Sequence, residues 1–405
     1  MKSSLFAVAF FFSFFFLFKL LDVNHPIIPV VLLFSAFLGY IVSESISLKQ
    51  LFKVRKHEFS AQRIKYKFFS ASVILLVIPI YSYLGTMVGF TWLQSFWNDL
   101  WLFSFLLILV PLYIVFSDVR QNDPYDEYFY VGRFLATGIT AGKWVNHFYR
   151  ALLVKAFFLP LMYGFYIIAV NDLLGWRLDD VMSSKIFQYL FVLGLTIDVL
   201  IGTLGYVLSL KLFNTDIKSV DSTLSGWLVC LLCYPPFNQH VTNVLHQQDN
   251  LYWTDIFSPE SPIYWVWGIF VVLSWGIYWW ATLSMGVRFS NLTYRGVISS
   301  GPYRWMKHPA YFSKNVYWWL ITIPFVTVGG WFSIYVNVMA LIMWNLIYYA
   351  RAKTEERHLR KYVEYREYCS FVDRNGLLAV IGNALSRLKG KYIRKKGVLN
   401  RIYQE

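Results

Sequence analysis

Residues 310–350 read AYFSKNVYWWLITIPFVTVGGWFSIYVNVMALIMWNLIYYA. Two apolar runs, 310–328 and 331–350, flank a Gly329-Gly330 pair. Each run is close to the ~20 residues a helix needs to cross a hydrocarbon core, and paired glycines signal a turn. The stretch therefore predicts a helical hairpin in a bilayer, out through the first run and back through the second. At about 1.5 Å per residue, helices of 19 and 20 residues end level with each other. Whatever precedes residue 310 then meets whatever follows residue 350.

The same pattern recurs along the chain. Of 405 residues, 57% are hydrophobic, 20% aromatic and only 15% charged. Further apolar runs at 5–21, 27–42, 69–90, 100–116, 151–170, 186–210, 224–234 and 263–285 predict an all-α, polytopic membrane protein of about ten transmembrane helices. The run at 224–234 is short and stops at Pro235-Pro236, which fits a re-entrant segment as well as a span. A soft division near Pro262 separates a multi-span region, 1–262, from residues 263–372, with a basic cytoplasmic helical tail at 373–405.

The net charge of +14 sits in two places. Residues 49–67 carry seven Lys or Arg against Glu58, and residues 351–405 carry fourteen against six acids, giving +6 and +8. Basic residues beside spans mark the cytoplasmic side and favour anionic lipid headgroups. With ten spans, alternation puts both termini in the cytoplasm and leaves the loop 238–262, which has no Lys or Arg, outside. The same distribution argues against nucleic acid as a partner, because no aromatic-interleaved basic platform accompanies the charge.

No small-residue cleavage site follows Leu21, so the phenylalanine-rich start reads as an uncleaved helix. Cys230 and Cys233 form a CxxC inside an apolar run, and without a second ligand pair they read as packing residues; with Cys369 they imply no disulfide framework and no metal. The acids and tyrosines of 118–150 read as a solvated loop in preference to a headgroup site. Lys155 lies near a span end, from which its stem can reach the interface. Asp198, inside LFVLGLTIDVLIG, is an intramembrane acid, which either lines a working cavity or ties helices together.

Just before the hairpin stands GPYRWMKHP, residues 301–309. Gly301-Pro302 is a turn signal, and Pro309 suits the first turn of a helix, where its missing N–H costs no bond. Lys307 and His308 then sit at the mouth of that helix and Tyr311 in its first turn, where free backbone N–H groups favour an anion. The returning helix runs into RAKTEERHLRKYVEYREY, with Arg351 and Glu355 one turn apart and Glu356 beside them. Interfacial anchoring does not need a histidine opposed by two carboxylates and flanked by both kinds of cation. Such a mouth suits a ligand that carries a carboxylate, an ammonium and a cationic or aromatic centre.

These motifs resemble the C-terminal signature of the isoprenylcysteine carboxyl methyltransferases and their relatives, the phospholipid methyltransferases and similar bacterial membrane enzymes. The likeness covers about residues 264 to 372 and is carried by Gly301, Tyr303, His308, Pro309, Tyr311, Arg351, Glu355, Glu356, Leu359, Tyr365 and Tyr368. Lys307 stands where the family has arginine, Ser313 where it has glycine, and the Phe-Gly before Tyr365 is missing. The resemblance implies that the hairpin holds S-adenosylmethionine, with Tyr303, Lys307, His308, Pro309, Tyr311, Glu355 and Glu356 binding it and Arg351, Glu355 and Glu356 acting in catalysis. Lys307 and Arg351 would hold the cofactor's carboxylate or an anionic acceptor. The implied reaction is methylation of a lipophilic acceptor, an isoprenylcysteine-type carboxylate or a lipid headgroup, entering from the bilayer. Membrane sterol reductases that use NADPH share a similar His-Pro-x-Tyr, so a reductase is the alternative, although Ala310 replaces their usual asparagine.

Overall fold

The computed structural model describes residues 1–23, 25–44, 57–121, 123–139, 143–248 and 251–382. The fold is almost entirely helical: α1 (Lys2–Leu20), α2 (Ile28–Ser43), α3 (Ala61–Met87), α4 (Thr91–Asp99), α5 (Leu106–Asp118), α6 (Glu127–Thr137), α7 (Lys143–Gly175), α8 (Ile186–Val207), α9 (Leu224–Leu231), α10 (Phe237–Val244), α11 (Pro262–Met285), α12 (Pro309–Thr322), α13 (Gly330–Leu359) and α14 (Val363–Asn375). One two-residue ribbon interrupts the helices. β1 (Ser219–Val220) pairs antiparallel with β2 (Thr293–Tyr294), Ser219 opposite Tyr294.

Among the described residues, six helices are long and apolar enough to cross a bilayer, and a seventh crossing arises if α4 with its 3-10 extension and α5, bent by 73°, make one broken span. The count is thus six or seven where the sequence predicts ten. Three expected spans come out short: α2 has 16 residues, α12 has 14 and α9 only eight. Eight residues rise about 12 Å, less than half a hydrocarbon core. The short α9 begins where the Thr223 hydroxyl accepts from the Gly226 N–H at 3.2 Å, and Pro235-Pro236 follows before α10 begins at Phe237. Apolar composition marked these segments without revealing where caps and prolines stop the helices. The basic residues 49–56 and the tail beyond 382 lie outside the described residues.

Helices α1 and α2 form a hairpin packed on α7 and α8 around Phe11, Leu32, Tyr166 and Leu200, all buried. Small residues let neighbouring backbones approach, as elsewhere in membrane bundles. A Cβ at Gly132 of α6 would lie 1.8 Å from the Tyr66 carbonyl of α3, and one at Gly164 of α7 would lie 1.9 Å from the Trp92 carbonyl of α4. Outward-facing Leu107, Ile108 and Trp331 are 66–87% exposed, as lipid-facing residues should be.

The 118–150 segment departs most from its reading. Asp118 and Asp126 are buried, not solvated, and close an ion cluster with α3. Arg63 donates to Asp118 through two nitrogens at 2.6–2.9 Å, and Lys67 bridges Asp118 at 3.0 Å and Asp126 at 2.9 Å. Two of the basic residues expected to face headgroups are thereby spent inside the protein. Lys155 is likewise buried instead of reaching the interface, with its ammonium donating to Glu127 at 2.7 Å and to the Ser209 carbonyl at 2.8 Å. A cation without a partner at that position would be too costly, and the acid that neutralises it is 28 residues away in sequence.

Candidate active site

The turn at Gly301–Arg304 starts from Gly301 at φ 62°, a conformation open to glycine at little cost. Tyr368 of α14 donates to the Tyr303 carbonyl at 2.8 Å, and the Leu377 N–H donates to the Trp305 carbonyl at 2.9 Å, so the turn is fastened from below. The chain then enters α12 with Pro309 buried at its first position and His308 as the residue before the helix.

On the returning side, α13 is one unbroken helix of 30 residues, about 45 Å. It projects beyond the apolar run and carries Arg351, Glu355 and Glu356 without a break. The two arms are not level as expected, since α12 has less than half the residues of α13, and α12 ends at Ile323 in the left-handed region ahead of Pro324. The connection 323–329 joins the two arms, and the mouths still meet.

There, His308 Nε2 lies 3.2 Å from Glu356 Oε1 and Nδ1 lies 3.8 Å from Glu355 Oε2. The His308 ring stacks on Tyr311 at 5.6 Å, and the Tyr311 hydroxyl donates to Glu355. Arg351 sits over the rings of Tyr311 and Tyr234, each at 5.2 Å, with its Nε 3.7 Å from Glu355. Glu356 also meets Arg360 at 3.3 Å and Lys353 at 3.7 Å, so it is surrounded by cations. Lys307 bridges Asp373 of α14 at 2.6 Å. Residues separated by more than forty positions thus form one network at the hairpin mouth.

A cavity opens beside this network, with about 1340 Å³ of empty space counting its mouth. Tyr303, Lys307, His308, Tyr311, Arg351 and Glu355 line it. Pro309 and Glu356 do not; the first shapes the start of α12 and the second backs His308.

Several lining residues went unread in the sequence. Asn291, just after α11, accepts from Arg351 and, at 3.0 Å, from the Tyr234 hydroxyl, while its own amide donates to Tyr206 at 3.1 Å. Tyr234, Asp221 and Cys230 bring the region before residue 262 directly into the cavity wall. His358 lies 3.0 Å from the Ser219 hydroxyl, beside the β1–β2 ribbon. No local spacing announces these contacts, which join positions 57 to 139 apart.

Arg295, also on the wall, secures the loop there. Its guanidinium donates to the carbonyls of Thr215 at 2.7 Å, Gly205 at 3.0 Å and Phe289 at 2.9 Å. Burial pushes its pKa down to about 10, which leaves it charged at neutral pH. Asp198, in α8, accepts from Tyr278 and Thr282 of α11, both at 2.7 Å, and so does tie helices together.

Residues 267–361 match the model of the isoprenylcysteine carboxyl methyltransferase (ICMT) family. No curated protein and no solved structure matches the chain. The matched segment runs from α11 through α13 and contains every residue expected at the site, so this part of the chain is isoprenylcysteine carboxyl methyltransferase-like, and with the long apolar helices it marks an integral membrane protein. The NADPH-reductase alternative finds no support in this match.

Proposed function

We propose that the protein is an S-adenosylmethionine-dependent methyltransferase acting on a lipophilic, membrane-embedded acceptor. One observation carries the reading: inside the family-matched segment, His308, Tyr311, Arg351 and Glu355 converge on the wall of one cavity. The groups present fit the cofactor's chemistry. Arg351 suits its carboxylate, Glu355 its ammonium or ribose hydroxyls, and the rings of Tyr303, Tyr311 and Tyr365 its adenine and sulfonium.

When bound, S-adenosylmethionine supplies a methyl carbon whose bond to sulfur breaks as the acceptor attacks, the electron pair passing to sulfur. The protein's part is to align the reactants and exclude water. Tyr311, stacked on His308, orients Glu355; Asn291 and the Tyr234 and Tyr311 rings hold Arg351. A carboxylate acceptor needs no base. An amine acceptor releases a proton, and Glu355 is better placed to take it than Glu356, which His308, Lys353 and Arg360 surround. A soluble cofactor enters from the aqueous face on which the hairpin mouth opens, and the acceptor enters laterally between helices.

The test is turnover. Protein in nanodiscs, given methyl-labelled S-adenosylmethionine and a lipid extract, transfers label to an organic-soluble product; label that stays in the aqueous phase with every extract tried would contradict the reading.

A further inference from the structure

The membrane-side wall of the cavity holds a lysine that the methyl-transfer chemistry above does not use. Lys314, in the second turn of α12, lines the cavity, and its ammonium lies over the Tyr278 ring, 4.5 Å from the centroid. Lys307 is paired with Asp373, and Arg351 has Glu355 and Asn291. Among the described residues, Lys314 has no carboxylate within 4.0 Å and no hydrogen bond.

An ammonium on a membrane helix is expensive and usually marks a working position. Here its charge is balanced at one remove. The Tyr278 hydroxyl donates to Asp198 Oδ2 and the Thr282 hydroxyl to Oδ1, so both carboxylate oxygens face α11. The acid neutralises the neighbourhood without taking up the three ammonium donors. A cation held over a ring, backed by an acid that does not bind it directly, is ready to accept an oxyanion.

We propose that Lys314 binds an oxyanion of the lipophilic acceptor, a carboxylate or a phosphate, at the membrane-side end of the cavity, with Asp198 and Tyr278 as positioning residues. This rests on the methyltransferase reading and gives the region before residue 262 a part in it, because Asp198 comes from α8.

The experiment uses full-length protein in phosphatidylcholine nanodiscs saturated with S-adenosylhomocysteine, and compares retention of radiolabelled laurate, dodecyl phosphate and uncharged dodecanol. Wild type retains at least one of the two anions about 10-fold more tightly than dodecanol, and the better anion identifies the oxyanion class. Lys314→Gln reduces that preference to twofold or less, Lys314→Arg keeps most of it, and S-adenosylhomocysteine affinity stays within twofold of wild type in both. The double variant Lys314→Gln/Asp198→Asn, which removes both charges together, guards against a misfolded single variant. An anion preference that survives loss of Lys314, or wild type that favours neither anion, overturns the proposal while cofactor binding stands. Absence of S-adenosylhomocysteine binding by wild type overturns the methyltransferase reading itself, and this inference with it.

Discussion

His308 and Glu356 stand 3.2 Å apart, the histidine on the cavity wall and the glutamate behind it. A charge-assisted contact from His308 to a ligand is worth on the order of 1–3 kcal/mol, about 5- to 150-fold in affinity, and Glu356 bears on it by positioning the histidine. His308→Ala and Glu356→Gln should each weaken S-adenosylhomocysteine binding within that range while expression and thermal stability stay near wild type. Normal affinity in both would reduce the pair to an anchor. Arg295 makes the opposite forecast. Its guanidinium is taken up by three backbone carbonyls, so Arg295→Met should destabilise the fold by about 1–3 kcal/mol or more in detergent unfolding, through carbonyls left without donors. The histidine, the paired acids and Arg351 were legible because they cluster at a helix mouth in sequence. Asn291, which holds Arg351, was not, because a single asparagine in a loop has no pattern to betray its partner 60 positions away.

At the scale of elements, polar side chains inside the bundle fix which helices touch. Lys155 and Glu127 join α7 to α6 with both side chains less than a tenth exposed. Lys155→Met alone strands a buried carboxylate and should cost about 3–5 kcal/mol in unfolding free energy, whereas Lys155→Met with Glu127→Leu should recover much of the loss. Equal losses in single and double variants would deny the pair this role. Close backbone approach does the same work between α4 and α7: Gly164→Val sets side-chain atoms against the Trp92 carbonyl and should lower the unfolding midpoint through a strain of about 1–3 kcal/mol. Apolar runs announced the long helices because hydrocarbon length is a strong constraint on sequence. They overstated α9 and α12, since a run of apolar residues continues through a cap or a left-handed residue that ends the helix. The loop containing Asp118 and Asp126 was misread for a related reason: mixed charge looks solvated until the cations of α3 are seen folded over it.

For the whole molecule, the arrangement of α11, α12 and α13 sets sidedness whatever the number of spans before them. The Gln248 N–H donates to Asn337 near the start of α13, while α14 lies beyond that helix's other end, against the turn at Tyr303. In a background without Cys230, Cys233 and Cys369, single cysteines at Gln248 and Ser370 should react with impermeant maleimide from opposite faces of sealed vesicles. Labelling from a common face would break the hairpin topology on which the site depends. The cavity draws its wall from both sides of residue 262, so the region before it, whose sequence carried no recognisable motif, contributes Asp221, Cys230 and Tyr234 to that wall as well as forming membrane scaffold. The most direct measurement is calorimetric titration of the purified, nanodisc-held protein with S-adenosylhomocysteine and, separately, with NADPH. Saturable S-adenosylhomocysteine binding in the micromolar range, about −8 kcal/mol, with NADPH much weaker, is the expected result; no heat with S-adenosylhomocysteine, or tighter binding of NADPH, would contradict it.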